Sequence, residues 1–475
     1  MIADGTAGIS PAANALIVPA REATDRAWRH RDRLSERDRL LLEAQRAWLW
    51  GRSAEAERTY GSLVVLHPGD AEAWFLLGDV IYHRRPLHGG SSIEARQPFE
   101  RALALDPAQL PSLLHLAKID ALETRLDQLD GRISRVLQLS PNGDQAFGMR
   151  ALQAWLQKRA PDQDQLLALL PVVRAYPALI ALANIALYAR DLAGAERFAA
   201  RFLEAARAPE LKALVHAFAA QLLLGRGRRR EAMEQMTAAA PHEPAYALEV
   251  QALMMACTVP AFPLAEVAAV RDALAAWDPG TAARLAPPFD IHEALHQHLR
   301  LYLLGALGAT LADPAETARR VEELAELPIP PGSEVLIERL GRMLEALIHR
   351  AHGRPGEALQ RMEGAQSDVW FQHAIASPFY SGAHERFLRA DLLCEVGRQR
   401  EAIGWYRGIA EFSLYELPFL APARLRLAAI HTNLGERACA ARCYDEFIGL
   451  WDDPDPELAP MIHEARRRKE LLRVE

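Results

Sequence analysis

The sequence predicts an all-α protein, a right-handed α-solenoid of roughly nine to eleven stacked antiparallel helix hairpins. Three observations predict it. Alternating β-branched runs bounded by turn pairs are missing, while Ala, Leu, Arg and Glu recur at helical spacing along the whole chain. Breakers arrive regularly, as Pro68, Pro107, Pro141 and Pro177, at separations of 39, 34 and 36 residues, the period of a helix-pair repeat. Finally, one pattern recurs five times: Ala, Gly seven residues on, Ala five further, then a bulky Tyr or Met after four more.

The five copies are Ala44-Gly51-Ala56-Tyr60, Ala220-Gly227-Ala232-Met236, Ala346-Gly353-Ala358-Met362, Ala390-Gly397-Ala402-Tyr406 and Ala428-Gly435-Ala440-Tyr444. Two helices of a hairpin approach closely only where neither carries bulk, so the alanines mark the crossing. The glycine ends the first helix, because a left-handed residue there satisfies the last carbonyls without the clash of a Cβ. The Tyr or Met stands one turn past the second Ala and fills the gap against the next hairpin.

Taken in order, residues 1–33 read as a tail and lead-in helix, 34–241 as well-formed repeats, 242–330 as irregular hairpins and 331–475 as further repeats ending in a capping helix. The irregular stretch has helical spacing but no Gly-Ala register, and it carries Pro260, Pro263, Pro279, Pro287 and Pro288. Two segments in the first block resemble the tetratricopeptide repeat family. In 37–70 the small residues, Tyr60 and the closing Pro68 fall in family positions. In 71–107 Trp74, Leu77, Gly78, Ala95, Phe99, Ala102 and Pro107 do so, with an insertion in the inter-helix turn around Pro86-Leu87-His88-Gly89-Gly90. Together with LSERDRLLLEA and the ERFLRADLL…WYRGIAEF tail, these blocks also look like the repeat regions carried C-terminally by bacterial serine/threonine protein kinases and related signalling regulators. That resemblance contains no kinase domain.

Composition bounds the function. With 50% hydrophobic and 25% charged residues the chain is an ordinary folded protein, and its net charge of −7 gives no general attraction to phosphate backbones, so nucleic acid is not an expected partner. Four scattered cysteines, Cys257, Cys394, Cys439 and Cys443, do not make a disulfide framework. No secretory leader and no membrane span is read, so the expected setting is the cytoplasm. No cofactor is expected.

Three motifs suggest chemistry. His30-Arg31-Asp32 spells the start of a kinase catalytic loop, but Arg37 stands where the motif requires Asn. Gly89-Gly90-Ser91-Ser92 lacks the strand and Lys of a phosphate loop and reads as a turn ending in a Ser cap. His292-Glu293-Ala294-Leu295-His296 matches H-E-x-x-H, in which two imidazoles one turn apart hold zinc and the Glu activates a water. A zinc-dependent metallohydrolase using His292, Glu293 and His296 is therefore the alternative reading. Against it stands an ordinary amphipathic helix with its His and Gln toward solvent. The preferred reading is a non-catalytic scaffold for protein–protein interaction.

In a stack of such hairpins the first helices line a concave wall that, in tetratricopeptide proteins, usually takes an extended peptide or a partner helix. The resemblance puts Gln45, Trp48 and Leu49 of one repeat and Phe75, Asp79, Tyr82 and His83 of the next on that wall. Rigid aromatics there suit the anchoring of a protein or peptide partner. Packing between neighbouring hairpins is the competing role for Trp48, Phe75 and Tyr82.

Overall fold

The structure, a computed structural model, describes residues 13–257, 259–281, 292–363 and 370–474. All regular elements among the described residues are helical. They fall into two compact units. The first comprises Met1–Ala205, Asp368–Ala376 and Glu411–Ser413, and the second Ala206–Ser367, Ser377–Ala410 and Leu414–Glu475.

In the first unit, α1 (Ala13–Trp28) leads into five antiparallel hairpins. These are α2 (Glu36–Leu49) with α3 (Ser53–Leu66), α4 (Ala71–Arg84) with α5 (Arg96–Leu105), α6 (Leu110–Leu122) with α7 (Leu126–Leu139), α8 (Asp144–Leu156) with α9 (Ala160–Leu169), and α10 (Ala175–Ala183) with α11 (Leu192–Ala205). The second unit opens with α12 (Pro209–Gly225) and α13 (Arg229–Ala239), α14 (Pro244–Cys257) and α15 (Leu264–Ala276), α16 (His296–Thr310) and α17 (Pro314–Glu326), and α18 (Glu334–Ala351) and α19 (Pro355–Glu363). The short α20 (Phe371–Ala376) belongs to the first unit. The second unit resumes with α21 (Pro378–Ser381), pairs α22 (Ala383–Glu395) with α23 (Gln399–Arg407) and α24 (Leu420–Asn433) with α25 (Arg437–Leu450), and ends in α26 (Ala459–Val474).

Local chemistry sets these boundaries. Ser35 caps α2 by accepting the Asp38 amide at 3.1 Å, and Asp70 caps α4 by accepting the Ala73 amide at 3.1 Å. The ten pattern alanines are all fully buried, as are the Tyr and Met that follow them, so the expected close crossings form. At each pattern glycine the backbone is left-handed, with φ between 69° and 83°. The same turn recurs without glycine at Thr124, Lys158, Arg190 and Ala312, with φ of 53–58°. No glycine marks these hairpins, because the packing of the two helices holds the turn against the cost to an L-residue of about 1–2 kcal/mol. Gly78 serves a different need. A Cβ there would lie 2.7 Å from the Phe99 ring, so only glycine lets α4 close onto α5.

The second unit ties its end to its beginning. Asp455 donates its backbone amide to the Gly227 carbonyl at 3.0 Å, and its carboxylate accepts the Arg229 and Arg230 amides at 2.9 and 3.3 Å. A carboxylate from beyond α25 thus caps the N-terminus of α13, where the helix dipole favours negative charge.

Candidate functional site

In the first unit, α4 carries Phe75, Asp79, Tyr82 and His83 at helical spacing on one face, and α2 carries Trp48 and Leu49. All six are buried, at 2–8% exposure, and Gln45 alone of the seven predicted wall residues is partly exposed. The cover comes from the chain itself. Phe371 of α20 stacks flat on Trp48, with centroids 5.3 Å apart and planes 9° off parallel, and also on His83 at 4.1 Å and 24°. Trp370 meets Trp48 edge-on at 5.8 Å, and Phe412 meets His83 edge-on at 5.6 Å. Trp48 and His83 therefore hold two short segments from far along the sequence, whereas Phe75 and Tyr82 pack between helices, against Phe99 of α5 and, for Tyr82, also His115 of α6.

The second of these segments is fixed by its charge. The buried Glu411 carboxylate accepts hydrogen bonds from the Ser91 hydroxyl at 2.9 Å, the Ser92 hydroxyl at 2.9 Å and the Ser92 backbone amide at 2.8 Å. Ser91 and Ser92 open the short turn that leads into α5, with Ser91 in the cap position. The Ser91-Ser92 turn that follows the insertion is thus a carboxylate receptor at a helical N-terminus. Tyr188 adds a longer contact to the Glu411 carbonyl at 3.4 Å and accepts the Tyr82 hydroxyl at 2.9 Å. The Ser cap of this turn was legible in the sequence, but its acidic occupant lies 320 residues away.

Beneath Phe371, the face carries a polar cluster. Asp79 Oδ1 lies 3.4 Å from Nε2 of His83, four residues on along α4, and 3.4 Å from Nε2 of His115 on α6. All three side chains are buried. Burial raises the Asp79 carboxyl, but the imidazoles beside it outweigh this and hold it at about 2. Burial drives His115 down to about 4 against the pull of Asp79, so near neutral pH the cluster presents a carboxylate and a neutral imidazole.

The second unit corrects the zinc-hydrolase alternative. Helix α16 begins only at His296, so His292 and His296 do not share one helical turn, and Glu293 is exposed while both histidines are buried. The Glu that would activate a metal-bound water therefore stands outside the group it should serve. The histidines turn instead to Glu249 of α14 and to Ser377. His296 Nδ1 lies 2.7 Å from Glu249 Oε1, and His292 Nε2 lies 2.7 Å from Ser377 Oγ. Burial lowers His292 to about 3 and raises Glu249. The solvent-facing histidines of the competing helix reading are corrected too, since His292, His296 and His298 are all buried.

Two further arrangements were not legible in the sequence. Cys257 Sγ lies 3.0 Å from His384 Nδ1, the spacing of a nucleophile and its base. Burial raises the thiol and lowers His384 to about 4, so the pair rests as a neutral thiol and a neutral imidazole rather than as thiolate and imidazolium. His431, Glu436 and Cys439 also come together, but His431 Nδ1 is already bonded to Glu436 at 2.5 Å. His30-Arg31-Asp32 lies at the surface around a short turn, and Arg37 pairs with Asp70 and Glu72 at 2.7 and 2.8 Å. No described helix is long and apolar enough to cross a membrane.

No family model matches the chain, and no curated protein does. Solved structures similar to it include the tetratricopeptide domain of P58(IPK), at 14% identity and a TM-score of 0.22, covering 91% of this chain and 98% of that one. The Cut9-Hcn1 hetero-tetramer of the APC/C matches at 12% identity and 0.31, covering 91% and 96%. Naa15/Naa10 bound to HypK-THB matches at 14% identity and 0.27, covering 92% of this chain and 67% of that chain. At such scores the fold assignment rests on the hairpins themselves.

Proposed function

We propose that this protein is a non-catalytic interaction scaffold whose first unit holds a peptide against the face built by Trp48, Phe75, Asp79, Tyr82 and His83, with Gln45 and Leu49 at its edge. The observation that carries the reading is the seating of Phe371 on Trp48 and His83. A side chain from a six-residue helix, remote in sequence, is gripped there by two aromatic faces, as a partner's anchor would be. The Ser91-Ser92 turn supplies the polar half of the recognition, suited to an acidic side chain. A partner would carry an aromatic and a carboxylate and would take the place of α20 and Glu411. Four free cysteines suit a reducing cytoplasm, and the resemblance to kinase-linked repeats favours a signalling role.

The test uses the chain's own segment as the probe. A fluorescent peptide spanning residues 368–377 is titrated, by anisotropy, into wild type and into a Trp370→Ala, Phe371→Ala variant. The variant is expected to bind it and wild type, whose face is already occupied, is not. A folded variant that ignores the peptide would show that the face is fixed core and would remove the proposal.

A further inference from the structure

We propose that Asp79, His83 and His115 form a binding site for one Zn2+ ion, with a fourth coordination position left to a non-protein ligand. The proposal is independent of peptide holding by the same face.

Three observations on this cluster carry it. The first is donor chemistry. Two imidazoles and a carboxylate offer one ligand atom each, all within 4.8 Å of one another, and this is the donor set of a three-ligand zinc centre. The second is spacing. Tetrahedral zinc with bonds of about 2.0–2.1 Å separates its ligand atoms by about 3.3–3.4 Å. Octahedral bonds of the same length separate them by about 2.9 Å. Asp79 Oδ1 stands 3.4 Å from both Nε2 atoms, which is the tetrahedral edge and is longer than the usual N–H···O hydrogen bond. The third is orphaning. Asp79 Oδ1 and both ring nitrogens of His83 and of His115 are buried without a hydrogen-bond partner among the described residues. Buried polar atoms are normally satisfied, and three of these five, Asp79 Oδ1 and the two Nε2 atoms, face one another and call for a shared partner.

The other histidine clusters lack this combination. His292 and His296 each have a short hydrogen bond to Ser377 or Glu249, and His431 has one to Glu436. In the proposed site the rings are oriented by stacking instead: His83 lies on Phe371, and His115 lies on Phe99 with centroids 5.0 Å apart and planes 10° off parallel. Histidine ligands usually gain from a hydrogen bond at their second nitrogen, whose loss costs about 10- to 100-fold in affinity. Two such losses cost about 10²- to 10⁴-fold together, so binding is nanomolar rather than picomolar.

The test uses the untagged full chain, stripped with EDTA and dialysed. Titration with Zn2+ against a chromophoric chelator, with metal analysis after gel filtration, is expected to give about one Zn2+ per chain at a Kd on the order of nanomolar. Asp79→Asn and His115→Gln, both close in shape to the native residues, should each weaken binding at least about tenfold, whereas His431→Ala should leave it unchanged. Should the first two variants fail to fold, Co2+ substitution of the wild-type chain decides, since a four-coordinate site gives intense visible d–d absorption and a six-coordinate one does not. Substoichiometric zinc, a weak six-coordinate cobalt spectrum, or binding that survives His115→Gln and is lost in His431→Ala would each overturn the proposal.

Discussion

Removing the Phe371 side chain should free α20 from the first unit while leaving the hairpins folded. Phe371 is 3% exposed and stacks on both Trp48 and His83. Truncating a buried Phe to Ala costs about 3–5 kcal/mol, the lost transfer energy plus the cavity left behind. In a hairpin that loss would be spread over a cooperative unit. Here it falls on a helix of six residues, too short to persist by itself, whose hold on the unit is chiefly its aromatic contacts. At about 1.4 kcal/mol per decade, the opening equilibrium of α20 should rise about a hundred- to four-thousand-fold in Phe371→Ala. Native-state hydrogen exchange reads this directly: the α20 amides should exchange faster by that factor, while those of α2, α4 and α6 keep their protection. Unchanged protection in α20 would refute the reasoning. So would an equal loss across α2 and α4 with a lowered melting temperature, because the segment would then be part of the unit's core.

The remaining expectations concern stability. Gly435 has φ of 73° and open space around its missing Cβ, so Gly435→Ala should lower stability by about 1 kcal/mol from backbone strain alone. Lys158→Gly should raise it by about half as much, since glycine relieves the strain but loosens the unfolded chain; urea midpoints with unchanged slopes check both. Arg386 donates to Glu416 at 2.5 Å in a buried pair, and Glu416 also accepts the Ala410 amide at 2.7 Å. Glu416→Ala should therefore cost about 3–5 kcal/mol in thermal or urea unfolding, and an Arg386→Met, Glu416→Leu double variant should recover much of it. His384 is held near 4 by burial, with Arg350 adding in the same direction. Below about pH 6.5 the unfolded chain takes up this proton and the folded chain does not, so stability falls on acidification between about 6.5 and 4, by about 3 kcal/mol in all, and is complete above 6.5. Urea midpoints of wild type and His384→Asn compared at pH 7.5 and 5 should differ in slope by that contribution, and equal slopes would exclude it.

The sequence by itself determined the helical class and the pairing of the five hairpins that carry the Ala-Gly-Ala pattern. Helical spacing, caps such as Ser35 and Asp70, the buried alanines and the left-handed glycines act within one turn or one hairpin, so the pattern that encodes them is short enough to read along the chain. Helical spacing also puts Asp79, Tyr82 and His83 on one side of α4, whereas Trp48 was joined to them only by the resemblance to tetratricopeptide repeats. Only the tertiary structure decided what lies on that face and which polar groups meet. Phe371 reaches Trp48, Glu411 reaches Ser92 and Glu249 reaches His296 across separations that carry no periodic signal. His115 joins Asp79 and His83 only because α6 stacks beside α4. The H-E-x-x-H letters failed for the same reason: their chemistry needs a helix through residues 292–296, and the chain starts its helix at the last of them. Contacts between hairpins depend on the packing of whole helices, which no short motif specifies.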